Sequence, residues 1–187
     1  MKNKTANFFF EAGALKRVKR SGWWLAGVKE PESVAEHSFR AALIAWALGR
    51  QANCNAEKAV MMLLVHDLPE ARLTDLHKVA QRLLDHGKAE GKAVEAQAKE
   101  WGEIGGEYGK LMHEFVQGKT REAVIAKDAD LLECAFQAKE YKEIGYTEAD
   151  DWLQRIGGKL KTKEAKKVFS ELKKTKSSAW WKNLKKE

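Results

Sequence analysis

Only two prolines, Pro31 and Pro69, punctuate 187 residues, and no stretch shows the two-residue alternation of apolar and polar side chains that marks a strand. Alanine, leucine, lysine and glutamate dominate, and all four favour helix. The chain is therefore read as all-α. Its length suits one globular core, since domains usually run roughly 100–200 residues.

Punctuation between helices is local. Ser33-Val34-Ala35-Glu36 forms a capping box, in which the Ser33 hydroxyl and the Glu36 carboxylate each satisfy a free backbone amide. The helix it opens is predicted to reach about Arg50, with His37, Ala41, Ile44, Ala45 and Leu48 along one stripe. After a turn at Asn53 and Asn55, a very apolar helix runs from about Ala56 to Val65. It stops at His66-Asp67-Leu68-Pro69, because proline disfavours helix at the residue before it. An earlier helix spans Thr5 to Val18. Glu70 to Asp75 reads as a loop or single turn, followed by a short helix to about Leu84 and a break at Asp85-His86-Gly87. Lys88–Val116 is mostly helical but interrupted by glycines. Thr120 caps a helix to about Ile144, and Thr147 another through Ile156.

Charge divides the chain unevenly. The net charge is +7, of which Lys159 to Glu187 carries +8 and the remainder −1. Residues 1–158 are read as the domain, and 159–187 as a basic helical tail packed on it or extending from it. A near-neutral body argues against a nucleic-acid-binding face on the fold itself, which needs clustered Lys and Arg. The tail reads as a solvated lysine-rich helix, or as a contact for phosphates or an acidic partner. Two cysteines, Cys54 and Cys134, are too few for a disulfide framework and point to a reducing compartment. No apolar run approaches the roughly 20 residues of a membrane span. A cytoplasmic protein without membrane attachment is expected.

The chemistry concentrates at His66-Asp67. Six apolar residues precede this pair, so it sits at the edge of the core, where a carboxylate is costly unless paired or bound to metal. Imidazole with carboxylate suits borderline and hard divalent cations. His37, on the apolar stripe of its helix, offers a further ligand. So does an acid in the Thr120 helix, and on periodicity either Asp128 or Asp130 could point inward.

At this point the sequence resembles the HD-domain metal-dependent phosphohydrolases, and within them the 5′-deoxynucleotidase subfamily. Four blocks in order carry the likeness: Leu15–Trp23, Pro31–Ser38, His66–Glu70, and Asp130–Glu133 continuing through Gln137–Tyr141. The resemblance covers about residues 8–145 and selects Asp130 over Asp128. It implies a single HD-domain helical bundle in which His37, His66, Asp67 and Asp130 hold one divalent cation (Mn, Co, Mg, Zn, Fe or Ni). Asp67 thereby joins the catalytic set with Glu70 and Asp75, which would orient or deprotonate water, protonate the leaving oxygen, or bind a second cation. Arg20 would hold the phosphate and Trp23 would help position the nucleoside. Asp75-Leu76-His77-Lys78 would be the substrate-contacting stretch. The implied reaction is phosphate release from (deoxy)nucleoside 5′-monophosphates, the alternative being another small phosphate ester or a phosphodiester such as a cyclic nucleotide. A homodimer is also implied.

Departures from the subfamily pattern fall near the sugar and base. Thr74 stands where glycine is common, and His77-Lys78 replaces Thr/Pro-type residues. Lys78 reads as a phosphate contact or as an exposed helix start, and His77 as a proton donor or a surface residue. Cys54 and Cys134 read as buried small apolar residues, Trp46, Trp101 and Trp152 as core or dimer contacts, and Trp180-Trp181 as packing back on the body or meeting a partner.

Overall fold

The computed structural model describes residues 4–185; residues 1–3 and 186–187, the ends of the expected domain and tail, lie outside them. Ten α-helices build the body: α1 (Lys4–Ala14), α2 (Val34–Gln51), α3 (Ala56–Val65), α4 (Glu70–Leu73), α5 (Lys78–Gln81), α6 (His86–Glu100), α7 (Glu103–Gln117), α8 (Arg121–Glu143), α9 (Asp150–Ile156) and α10 (Lys163–Lys174). Among the described residues the only β pairing is one isolated bridge, Lys19 with Ser33. Among the described residues no helix is long and apolar enough to cross a membrane.

Helices α2, α3 and α8 form the centre, and α7, α9 and α10 complete the wall around it. Leu48, Met62, Leu63, Met112, Ile125 and Leu132 are fully buried there. Each contributes about 1.5–3 kcal/mol relative to exposure. Ala41, Ala45, Ala59, Ala126 and Ala129, all buried, let the three central backbones approach closely.

The Ser33–Glu36 capping box is present as read, and the Asn55 side chain accepts from the Lys58 amide to start α3. Three boundaries differ from the sequence reading. First, α1 ends at Ala14. Val18 accepts from the Val34 amide and Arg20 donates to the Glu32 carbonyl, which draws the Lys19-Arg20 segment straight before a 3₁₀ turn at Ser21–Ala26. Second, Asp85-His86-Gly87 begins a helix rather than breaking one, because the Asp85 side chain caps the Lys88 amide of α6. Third, Thr147 heads a 3₁₀ turn and makes no cap; α9 starts at Asp150.

The glycines between α6 and α7 have separate reasons. Gly102 adopts φ +68, a left-handed value that reverses the chain, and a Cβ at Gly105 would meet the Ala98 carbonyl oxygen. Past Gly158, α10 lays Ala165, Phe169 and Leu172 into the main core. Its start is fixed by Asp128, which is buried and accepts from the amides of Lys161 (2.9 Å) and Thr162 (2.7 Å) and from the Thr162 hydroxyl (2.6 Å).

Candidate metal centre

Three central helices bring four side chains to one point. His37 lies in the first turn of α2, His66 and Asp67 follow the last residue of α3, and Asp130 lies mid-way along α8. His37 Nε2 stands 3.2 Å from Asp130 Oδ1 and 3.7 Å from Asp67 Oδ2. His66 Nε2 stands 3.1 Å from Asp67 Oδ2 and 4.0 Å from Asp130 Oδ1. Ligand atoms held ~2.0–2.2 Å from one ion stand roughly 2.9–4.2 Å apart, depending on coordination number, so these separations fit a shared cation. The donor set fits as well, being two imidazoles and two carboxylates. His37 Nε2 is buried without a hydrogen-bond partner of its own, which costs free energy unless something binds there.

Both rings are oriented from behind. His66 Nδ1 donates to the Leu63 carbonyl (2.8 Å), and His37 Nδ1 to the Glu133 carboxylate. Each imidazole therefore turns Nε2 towards the common point. Burial and the Arg20 charge act to lower the His37 pKa, but the Asp130 and Glu133 carboxylates beside the ring outweigh them and push it up to about 10. Burial would raise Asp67, yet His66, Arg20 and His37 hold its carboxyl well below the usual range, and Asp130 is lowered in the same way by His37. The group is a self-compensated cluster of charge whose two acids stay ionised.

Around it lie the other expected residues. Arg20 Nη1 is 3.5 Å from Asp67 Oδ2 and 3.8 Å from Asp75 Oδ1, so the guanidinium bridges the two acids. Asp75 also accepts from the Ser21 amide, which ties the α4–α5 loop to the 3₁₀ turn. Glu70 has Oε2 buried without a partner, and burial, followed by repulsion from Asp67 and Asp75, pushes its pKa up to about 10. Glu70 is thus a neutral acid beside ionised ones.

Thr74 explains the glycine common in the resembled subfamily at this place. Its backbone has φ 63 and ψ 165, a region that β-branched residues rarely enter and that costs about 1–3 kcal/mol. Thr74→Gly removes this strain but frees the unfolded chain by up to about 1 kcal/mol. The expected net gain is ~1 kcal/mol, a melting-temperature rise of about 2–4 °C in a thermal melt. A fall instead would show that the Thr74 side chain holds the loop by contacts.

The other expected residues have these surroundings. Trp23, expected to help position the nucleoside, is only 2% exposed. Its Nε1 donates to Glu32 (2.9 Å), and its ring packs on Tyr141 and Trp152, so it buttresses the turn that carries Arg20. His77 caps α5, with Nδ1 accepting from the Ala80 amide (3.1 Å), and Lys78 is exposed and reaches Gln81. Leu76 is half-buried in the same loop, and its carbonyl accepts from Gln81. Neither cysteine is fully buried: Cys134 Sγ accepts from Arg20 Nη2 at 3.2 Å and so belongs to the site. Trp101 is a core residue, whereas Trp46 is 53% exposed and Trp180 72%.

Sequence reasoning gave no role to Glu133 and Arg40. The available signal was spacing, because Glu133 lies three residues after Asp130 and Arg40 three after His37, on the same helix faces.

A family model described as HD domain matches residues 12–173. The 5′-deoxynucleotidase HDDC2 of Dictyostelium discoideum is 33% identical over 145 residues, covering 73% of this chain and 76% of that protein. The 5′-deoxynucleotidase HDDC2 of Homo sapiens is 28% identical over 164 residues, 86% of this chain and 80% of that one. Among solved structures, a conserved hypothetical protein from Pyrococcus furiosus superposes with a TM-score of 0.77 at 33% identity, covering 91% of this chain and 99% of its own.

Proposed function

The chain belongs to the HD domain family, and on that premise we propose that it is a metal-dependent 5′-deoxynucleotidase, hydrolysing deoxynucleoside 5′-monophosphates to nucleoside and phosphate. The observation that carries the reading is the convergence of two imidazole nitrogens and two carboxylates on one point, with Arg20 beside it. His37, His66, Asp67 and Asp130 are assigned as ligands. The divalent cation supplies positive charge against the phosphate and makes water a stronger acid; Mn, Co, Mg, Zn, Fe and Ni are the candidates.

The chain's own residues do the rest. Arg20 offers a planar, permanently charged fork to phosphate oxygens. Glu70, holding its proton, donates it to the departing 5′ oxygen, which would otherwise leave as an alkoxide. Asp75 anchors the Ser21 amide and one side of Arg20, and so fixes where the phosphate sits. Residues 1–158 carry the proposed catalytic side chains and the basic segment 159–187 packs on them through α10, in a cytoplasmic setting that suits two unpaired cysteines.

A second reading keeps the reaction class and changes the ester, to a cyclic nucleotide or another small phosphate. The departures at Thr74 and His77-Lys78 favour it, since they fall where the sugar and base are expected. Phosphate release from matched deoxyribo, ribo and cyclic nucleotides separates the two. Turnover highest on the deoxyribonucleoside 5′-monophosphates supports the first reading, and no turnover of them beside hydrolysis of another ester sinks it.

A homodimer is part of the proposal. Phe39, Leu43 and Trp46 stand half or more exposed at successive turns of α2, and Met61 and Leu64 are exposed on the neighbouring α3. Exposed apolar surface of this kind marks an association face. Sedimentation is expected to give twice the 21.1 kDa chain mass, and Leu43→Lys to give the single chain. A monomeric wild type refutes it.

A further inference from the structure

The two imidazoles are backed differently. His66 Nδ1 donates to a neutral peptide carbonyl, whereas His37 Nδ1 donates to Glu133, a carboxylate with no exposed surface at all. A fully buried acid is tolerated only where its charge is matched. Arg40 provides the match, with Nε and Nη2 donating to Glu133 Oε1 at 2.9 and 2.7 Å. The same guanidinium reaches Glu140 through Nη1 (2.8 Å) and Gln137 through Nη2 (2.7 Å), so it is pinned at three points along α8. A relay of Glu140, Arg40, Glu133 and His37 thus runs from the surface of α8 to the rear of the metal point.

We infer that Glu133 is a positioning residue, anchored by Arg40, that fixes His37 with its proton on Nδ1 and makes Nε2 the stronger of the two imidazole donors. The inference rests on the reading of His37 as a ligand and goes beyond it. A carboxylate behind a ligating imidazole locks the tautomer, holds the ring plane and adds electron density to the far nitrogen, whereas a peptide carbonyl does the first two only. The two histidines are therefore unequal by construction.

Glu133→Gln tests this, because it keeps the side-chain shape, removes the charge and leaves one oxygen where His37 Nδ1 and Arg40 each use a separate one. Zinc affinity is measured by competition with a chromophoric chelator, beside wild type and His37→Ala, with the metal-free melting temperature of each. The expected result is that Glu133→Gln weakens zinc binding about 10-fold or more, within the range for such partners, and that His37→Ala weakens it further. Unchanged affinity in Glu133→Gln with a loss in His37→Ala overturns the inference alone. Unchanged affinity in both overturns the ligand reading beneath it. The wild-type protein gives a second measurement that needs no variant to fold. In zinc-loaded, ¹⁵N-histidine-labelled protein, His37 is expected to carry its proton on Nδ1, with that proton further downfield than its His66 counterpart. A His37 ring bearing its proton on Nε2, or equal shifts for the two rings, overturns the inference.

Discussion

Asp67→Ala is expected to abolish phosphate release, lowering kcat/KM by ~10³-fold or more, equivalent to about 4 kcal/mol of transition-state stabilisation. The size follows from the number of things Asp67 touches. Its Oδ2 stands 3.1 Å from His66 Nε2, 3.7 Å from His37 Nε2 and 3.5 Å from Arg20 Nη1. No other carboxylate in the cluster lies beside both imidazoles and the guanidinium. Losing it removes one ligand, leaves His66 without its nearest acid, and frees Arg20 from one of the two acids that aim it. Asp67 is held ionised far below its ordinary range, so no working pH substitutes a neutral acid for it. Metal content after desalting and phosphate release are measured together. Retained cation with full turnover in Asp67→Ala would end the metal-hydrolase reading; loss of both with an unchanged helical circular dichroism spectrum is the expected outcome.

The parts of this site that were legible in sequence are those set by local rules. The capping box fixes the start of α2 and so the depth at which His37 enters, and Pro69 fixes the end of α3 and so the place of His66-Asp67. Asp130 was harder for a physical reason. Helix α8 is buried on several faces, with Ile125, Ala126, Asp128, Ala129, Leu132 and Glu133 all inside, so it has no single polar side by which to orient an acid. Asp128 and Asp130 both point inward, one to the start of α10 and the other to the metal point. The burial of Trp23 was not legible because burial of an aromatic in a 3₁₀ turn depends on what packs over it, here Tyr141 and Trp152 from distant parts of the chain. The break read at Asp85 was in fact a cap, since the same residue types end one helix and begin the next.

Glu70→Gln is expected to lower kcat by 10²–10³-fold on a deoxynucleoside 5′-monophosphate while leaving bound metal unchanged, in line with the usual contribution of one proton donor. Burial, then Asp67 and Asp75, raise the Glu70 pKa to about 10, so this acid keeps its proton where an ordinary carboxyl would have lost it. The sign of the pH dependence follows. An acid works in its protonated form, so its contribution is complete well below its pKa and lost as pH rises through it. A bound cation favours the carboxylate and moves that loss below pH 10. The wild-type kcat is therefore expected to fall on the alkaline side, and the Glu70→Gln profile to lack that limb. The leaving group separates this role from that of a base acting on water. An ester of a nitrophenol departs as a stable phenolate and needs no proton, so the defect of Glu70→Gln should largely vanish with p-nitrophenyl phosphate. A base that activates water is needed for either ester, and its loss would damage both alike. Equal defects on the two substrates would move Glu70 from the leaving oxygen to the attacking one.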